Sequence, residues 1–133
     1  MLYETHSKFG KIAYDKEIIA SIVRRELQGR EGRILFSDPR GRVRKNALRE
    51  TSDDAAFLDV ELREDAGQMD ITVYLVIYFG TSIKEMAAEI TECLRRDVPL
   101  VTGFTVGRVS VVVTGVMAKS LVRRRTEVVS YAE

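Results

Sequence analysis

Apolar residues recur along the chain at two spacings, three to four apart in two segments and every second position in several others. Gly10-Lys11-Ile12-Ala13-Tyr14 reads as a short opening strand. Asp15 is placed to cap a helix, because its carboxylate can accept from the orphan amides of a first turn. Ile18, Ile19, Ile22, Val23 and Leu27 then form one helical stripe, with Gly29 as the stop. Leu58, Val60 and Leu62 alternate with Asp59, Glu61 and Arg63, the period of a half-buried strand. Beyond a turn from Glu64 to Gln68, a strand from Asp70 to Phe79 gathers Ile71, Val73, Leu75, Ile77 and Phe79 on one face. The two strands read as an antiparallel hairpin. Ser82-Ile83-Lys84-Glu85 is a capping box, followed on one helical face by Met86, Ala87, Ile90 and Leu94 until Asp97-Val98-Pro99 breaks the pattern. A closing strand from Phe104 to Val113 puts Val109, Val111 and Val113 together, and Gly115 ends it.

The order strand, helix, strand, strand, helix, strand predicts an α+β fold: a four- or five-stranded mixed sheet with two amphipathic helices on one face. A split βαβ arrangement is the simplest topology with that order. Between the first helix and the hairpin, Ile34-Leu35-Phe36 suits a short strand and Asp38-Pro39-Arg40-Gly41 a turn, followed by a solvated loop or a frayed helix. Residues 1–116 form the predicted domain, with a basic loop at 38–50, and residues 117–133 a basic tail. In that tail Leu121, Val122, Val128, Val129 and Tyr131 can line a docking helix, or the terminus frays.

Strand alternation also names the other side of the sheet. If Ile71, Val73, Leu75 and Ile77 meet the helices, Tyr74, Val76 and Tyr78 face away, joined by Val106, Ser110, Val112 and Thr114 from the last strand. A two-layer domain leaves that apolar face in water, as an interface for a second copy or a partner. The alternative is that residues 30–56 or the tail fold over it.

Composition narrows the chemistry. The chain has 133 residues, 45% hydrophobic and 31% charged, which suits one soluble domain. Lys and Arg number 21 against 20 Asp and Glu, so no whole-protein field attracts nucleic acid or membrane. Local clusters do exist: Arg40, Arg42, Arg44, Lys45 and Arg49 in the loop, and Lys119, Arg123, Arg124 and Arg125 in the tail. Either can contact phosphate, an acidic protein or anionic lipid. No RNP-like aromatic motif or GXXG loop accompanies them, so a small nucleic-acid-binding domain using the basic loop and tail stands as the second reading, behind a protein-interaction module.

One cysteine, Cys93, and one histidine, His6, are too few for a disulfide or a structural zinc site. Cys93 falls beside Ile90 and Leu94 and reads as a small buried hydrophobe. His6 lies near the terminus, a poor place for a general base. Asp53-Asp54 and the pair Asp59 and Glu61 can be imagined as acid/base groups or hard-metal ligands, but a solvated strand face accounts for the latter pair. No P-loop, dinucleotide or nucleophile-elbow motif is present. The reading is therefore of no catalytic residues, no metal and no cofactor. The longest apolar runs are far shorter than the roughly 20 residues of a membrane span. The first residues carry no signal pattern, which favours the cytoplasm.

Three segments carry a resemblance. Asp70-Ile71-Thr72-Val73-Tyr74-Leu75-Val76-Ile77-Tyr78-Phe79-Gly80-Thr81-Ser82-Ile83 resembles the alkaline shock protein family of Gram-positive bacteria, in which an apolar strand runs through an aromatic residue and a glycine into a capped helix. Phe9-Gly10-Lys11-Ile12-Ala13 with Ile18-Ile19 is similar to that family's opening, and Thr102-Gly103-Phe104-Thr105-Val106 through Val116 to its closing strand. Leu27-Gln28-Gly29-Arg30 departs from the family's valine-glycine step, Ser110 stands where asparagine is common, and the arginine-rich loop is peculiar to this chain. The resemblance implies a cytoplasmic, non-enzymatic protein of envelope or alkaline stress physiology. It implies action through protein contacts, as a homo-oligomer or gathered peripherally at the membrane by an anchor protein. One branch is tied to fatty-acid precursor synthesis at the acetyl-CoA carboxylase step.

Overall fold

The computed structural model describes residues 2–7, 10–28, 33–43 and 55–132, with β1 (Leu2–Ser7) and β2 (Gly10–Asp15) described by their backbone. These two form their own antiparallel ladder. Helix α1 (Lys16–Leu27) follows, then β3 (Ile34–Phe36), β4 (Leu58–Arg63), β5 (Gln68–Tyr78), α2 (Ile83–Thr102), β6 (Thr105–Met117) and β7 (Leu121–Ser130). The five later strands make a mixed sheet. β3 and β4 lie end to end along one edge of β5, β6 runs parallel to β5 on its other edge, and β7 pairs antiparallel with β6.

The α+β expectation holds, with helices and sheet joined in one core. Ile19, Val23 and Leu27 of α1 and Met86, Ile90 and Leu94 of α2 pack with Ile71, Val73, Leu75, Val109, Val111 and Val113. The split βαβ topology does not occur, because β2 pairs with β1 and leaves the edge beside β6 to β7. The residues expected to form a helix or fray are that strand. Val122, Thr126, Val128 and Val129 are β-branched, and β6 offers them a free ladder.

Two other boundaries move. Pro99 lies inside α2 rather than ending it, since it falls in the last turn, where the Gly103 amide donates to the Pro99 carbonyl at 3.0 Å. Gly103 closes the helix with φ 78°. At the other end Ser82 accepts from the Glu85 amide at 3.2 Å, the serine half of the capping box. Gly115 does not end β6 but lies within it, at a register shift opposite β7. A Cβ built there meets the Val122 carbonyl oxygen and the Leu121 side chain at 3.0 Å.

Beneath α1, Arg24 is 2% exposed, paired with Glu17 and with its guanidinium 5.5 Å from the centre of the Phe57 ring. Phe57 in turn stacks on Phe36 at 3.9 Å. A buried arginine costs free energy unless its charge is met, and the carboxylate and ring face meet it.

The Gly115 contact yields a test of the β6–β7 hairpin. Gly115→Val is expected to lower unfolding stability by about 1–3 kcal/mol, the usual cost of forcing atoms into filled space. Urea denaturation measures it; an unchanged midpoint would mean the hairpin yields freely there.

Candidate functional site

The face of the sheet turned away from the helices is not bare. Val76 is fully buried, Val112 is 3% exposed and Tyr74 9%, while Tyr78 is half-buried. These four side chains were expected to stand in water. Part of the cover comes from the segment after β3. Ser37 shares a 2.7 Å hydrogen bond with Thr114, and Gly41, at φ +89°, passes close enough that an added Cβ would touch Thr114 at 3.6 Å. From the edge strand, Arg123 donates to the Arg40 carbonyl and Arg125 to the Pro39 carbonyl, each at 3.1 Å. The segment is thereby clasped between Thr114 and β7.

Asp38 shapes this clasp. Its Oδ1 accepts from the amides of Arg40 and Arg42 at 3.0 and 2.9 Å, and its Oδ2 accepts from Arg42 Nε at 2.8 Å. Burial alone would raise its pKa, but the bonds from Arg42 and Arg40 hold it below the usual carboxylate value. Arg42, a candidate anion or partner contact, is engaged by Asp38 through Nε and otherwise exposed. Arg44 and Lys45 lie outside the described residues.

Arg40, Arg123, Arg124 and Arg125 do come together. With Pro39 and Thr114 they line a hollow of about 230 Å³ at the edge of the sheet. None of the four pairs with a carboxylate among the described residues. Two guanidinium groups are held by backbone carbonyls, which fix their direction and leave most of their donors free.

A second hollow, of about 440 Å³, lies on the same face toward the start of β5. Asp59, Glu61, Asp70 and Tyr74 line it with Lys16 and Arg108. Asp70 accepts from Arg63 and from the Arg108 amide, both at 2.8 Å, and the Tyr74 hydroxyl donates to Asp59 at 2.8 Å. Among the described residues no three His, Cys, Asp or Glu side chains converge to hold a metal ion. Cys93 is buried. That burial first, then the charges of Glu26 and Asp97, push its thiol up to about 12, which suits packing and not nucleophilic attack.

Phe79 was misplaced by its alternation. β5 stops at Tyr78, and Phe79 lies in the turn beyond it, 83% exposed, with its amide bonded to the Met117 carbonyl. Gly80, at φ 92°, was the available signal that the strand had already turned.

The fold and its three signature segments in order bear on identity, and the family comparison decides it. Residues 4–118 match the alkaline shock protein (ASP23) family, of cell envelope-related function. The chain belongs to that family. No curated protein and no solved structure matches it. Within this alkaline shock protein the match ends in the turn before β7, so the strand carrying Arg123, Arg124 and Arg125 lies beyond it. No helix among the described residues is long and apolar enough to cross a membrane.

Tyr74 gives a pH test of the covered face. Burial first, then the bond to the Asp59 carboxylate and its charge, push the phenol up to about 12. The unfolded phenol ionises near 10, so stability is expected to fall from pH 10 upward as the unfolded chain releases its proton first. Tyr74→Phe is expected to remove that part of the alkaline loss, read from denaturation midpoints at pH 9 and 11. Identical pH profiles for the two proteins would show that the phenol is not held this way.

Proposed function

We propose that this alkaline shock protein is a non-catalytic interaction domain of cell-envelope homeostasis, which takes an acidic, extended segment of a partner protein along the outer edge of β7. The observation behind this reading is the edge itself. β7 is bonded to β6 on one side, and no strand among the described residues pairs with its other side, which makes it an edge open to a further strand. A strand added there completes those bonds, and side chains set the choice of partner.

The surroundings favour an acidic segment. Arg123, Arg124 and Arg125 are exposed along the edge. Beside it runs a groove of about 650 Å³ between α2 and β7, lined by Lys84, Arg95 and Arg96 with Glu92, Ala88 and Val128. Arg95 fixes the groove's floor by donating to the Val106 carbonyl at 2.7 Å and to the carbonyl and hydroxyl of Ser130. Recruitment by a membrane anchor, or control of fatty-acid precursor synthesis, would be served by such a contact.

A second copy is the competing occupant, favoured by the sequence of β7. Antiparallel pairing about Thr126 sets Arg125 opposite Glu127 twice, whereas centring on Arg125 or Glu127 opposes like charges.

A photo-crosslinker at position 126 of the full chain, used in native lysate, separates these. Crosslinks to an acidic segment of another protein, lost on Arg124→Glu with the melting temperature unchanged, are the expected result. Crosslinks to β7 of a second copy, with a dimer in sedimentation that Glu127→Arg abolishes, would favour self-pairing. Crosslinks indifferent to charge reversal would end the strand-addition reading.

A further inference from the structure

The chain's net charge of +1 hides a segregation along the strand axis. At one end of the sheet the turn residues Glu64 and Asp65, with Asp59, Glu61 and Asp70 on the adjoining strands, outnumber Lys16, Arg63 and Arg108. At the other lie the β6–β7 turn with Lys119, then Arg123 and Arg124 at the start of β7, all exposed and none paired with a carboxylate among the described residues. Glu85 and Glu89, in the first turns of α2, line a separate hollow with Arg33.

Two apolar side chains stand in water among these cations. Phe79 is 83% exposed and tied through its backbone to Met117, and Val122 is 55% exposed beside Arg123. Met117 pairs with Leu121 to close the hairpin, so the phenylalanine and the basic turn share one tip. An exposed aromatic ring costs free energy in water and gains it at a bilayer interface. Cations around it gain from anionic headgroups. Acids collected at the far end would be repelled by the same headgroups, which sets the orientation.

We infer that this tip is a lipid-binding surface. Phe79 and Val122 enter the headgroup region of an anionic bilayer, Lys119, Arg123 and Arg124 meet its phosphates, and the acidic end points away. The contact is direct. It uses Phe79, which the proposed strand addition at β7 does not need, so either can fail without the other.

The chain has no tryptophan, so Phe79→Trp supplies a single reporter. Vesicles of phosphatidylcholine with phosphatidylglycerol are expected to blue-shift its emission and to co-sediment the protein, while vesicles of phosphatidylcholine alone do neither. Lys119→Gln and Arg124→Gln are each expected to weaken sedimentation about fivefold, and high salt to release the protein. Phe79→Ser is expected to weaken it about tenfold without moving the melting temperature, since the ring packs on little. An unshifted spectrum, equal binding to neutral vesicles, or binding indifferent to these replacements would overturn the inference. So would retention of single-stranded RNA or inorganic phosphate by the same cations with no vesicle binding.

Discussion

The parallel pairing of β5 with β6 is the constraint from which the rest of the arrangement follows. Parallel neighbours cannot be joined by a tight turn, so the chain must leave the sheet, cross it and return. The 20 residues of α2 make that crossing, capped by Ser82 before and Gly103 after. Because β5 and β6 are central, both their faces must be covered. This is why Val76 and Val112 are buried as well as Val73 and Val111. The two free edges of the pair are then filled separately. Short β3 and β4 share the 11 residues of β5, and β7 takes β6.

Covering the back face falls partly to a segment without regular structure, and such a segment must satisfy its own backbone groups. Asp38 does this locally by accepting from two amides and an arginine, and Ser37 and Thr114 bond to each other in the buried seam. Arg123 and Arg125 spend donors on carbonyls of that segment rather than on carboxylates. The charge of the hollow is thus a by-product of the clasp. The guanidinium groups that hold the cover down are the ones left facing solvent with positive charge to spare. Ser110 is buried on the same face, its hydroxyl without a hydrogen-bond partner among the described residues.

What could be read from the residues was periodicity, and it went as far as faces. The alternation at Leu58, Val60 and Leu62 placed β4, and the helical stripes placed α1 and α2. Alternation also named Tyr74, Val76 and Val112 as the side opposite the helices, but it carries no information about what lies over them. That depended on a turn whose anchor, Asp38, bonds only within its own few residues and to Arg42. β1 was missed because Tyr3, Glu4, Thr5 and His6 are too polar to show a buried face. β7 was read as a tail because three consecutive arginines interrupt its pattern. On an edge strand, however, charged side chains are tolerated on either side. Of the candidate site, the arginines were legible as a cluster, whereas their assembly with Pro39 and Thr114 required chain segments more than 70 residues apart to meet.

The same edge position explains how a nearly neutral chain can still act through charge. Coulomb energy at a surface depends on charges within about a Debye length, roughly 8–10 Å, and not on the molecular total. A strand extends about 3.3 Å per residue, so the 13 residues of β6 hold its two ends several Debye lengths apart. Acids at the β4–β5 turn therefore do not cancel basic residues at the β6–β7 turn, even though the formal sum is +1. The long central strands thus do two things at once. They bury the core, and they hold the acidic β4–β5 turn and the basic β6–β7 turn too far apart to neutralise each other.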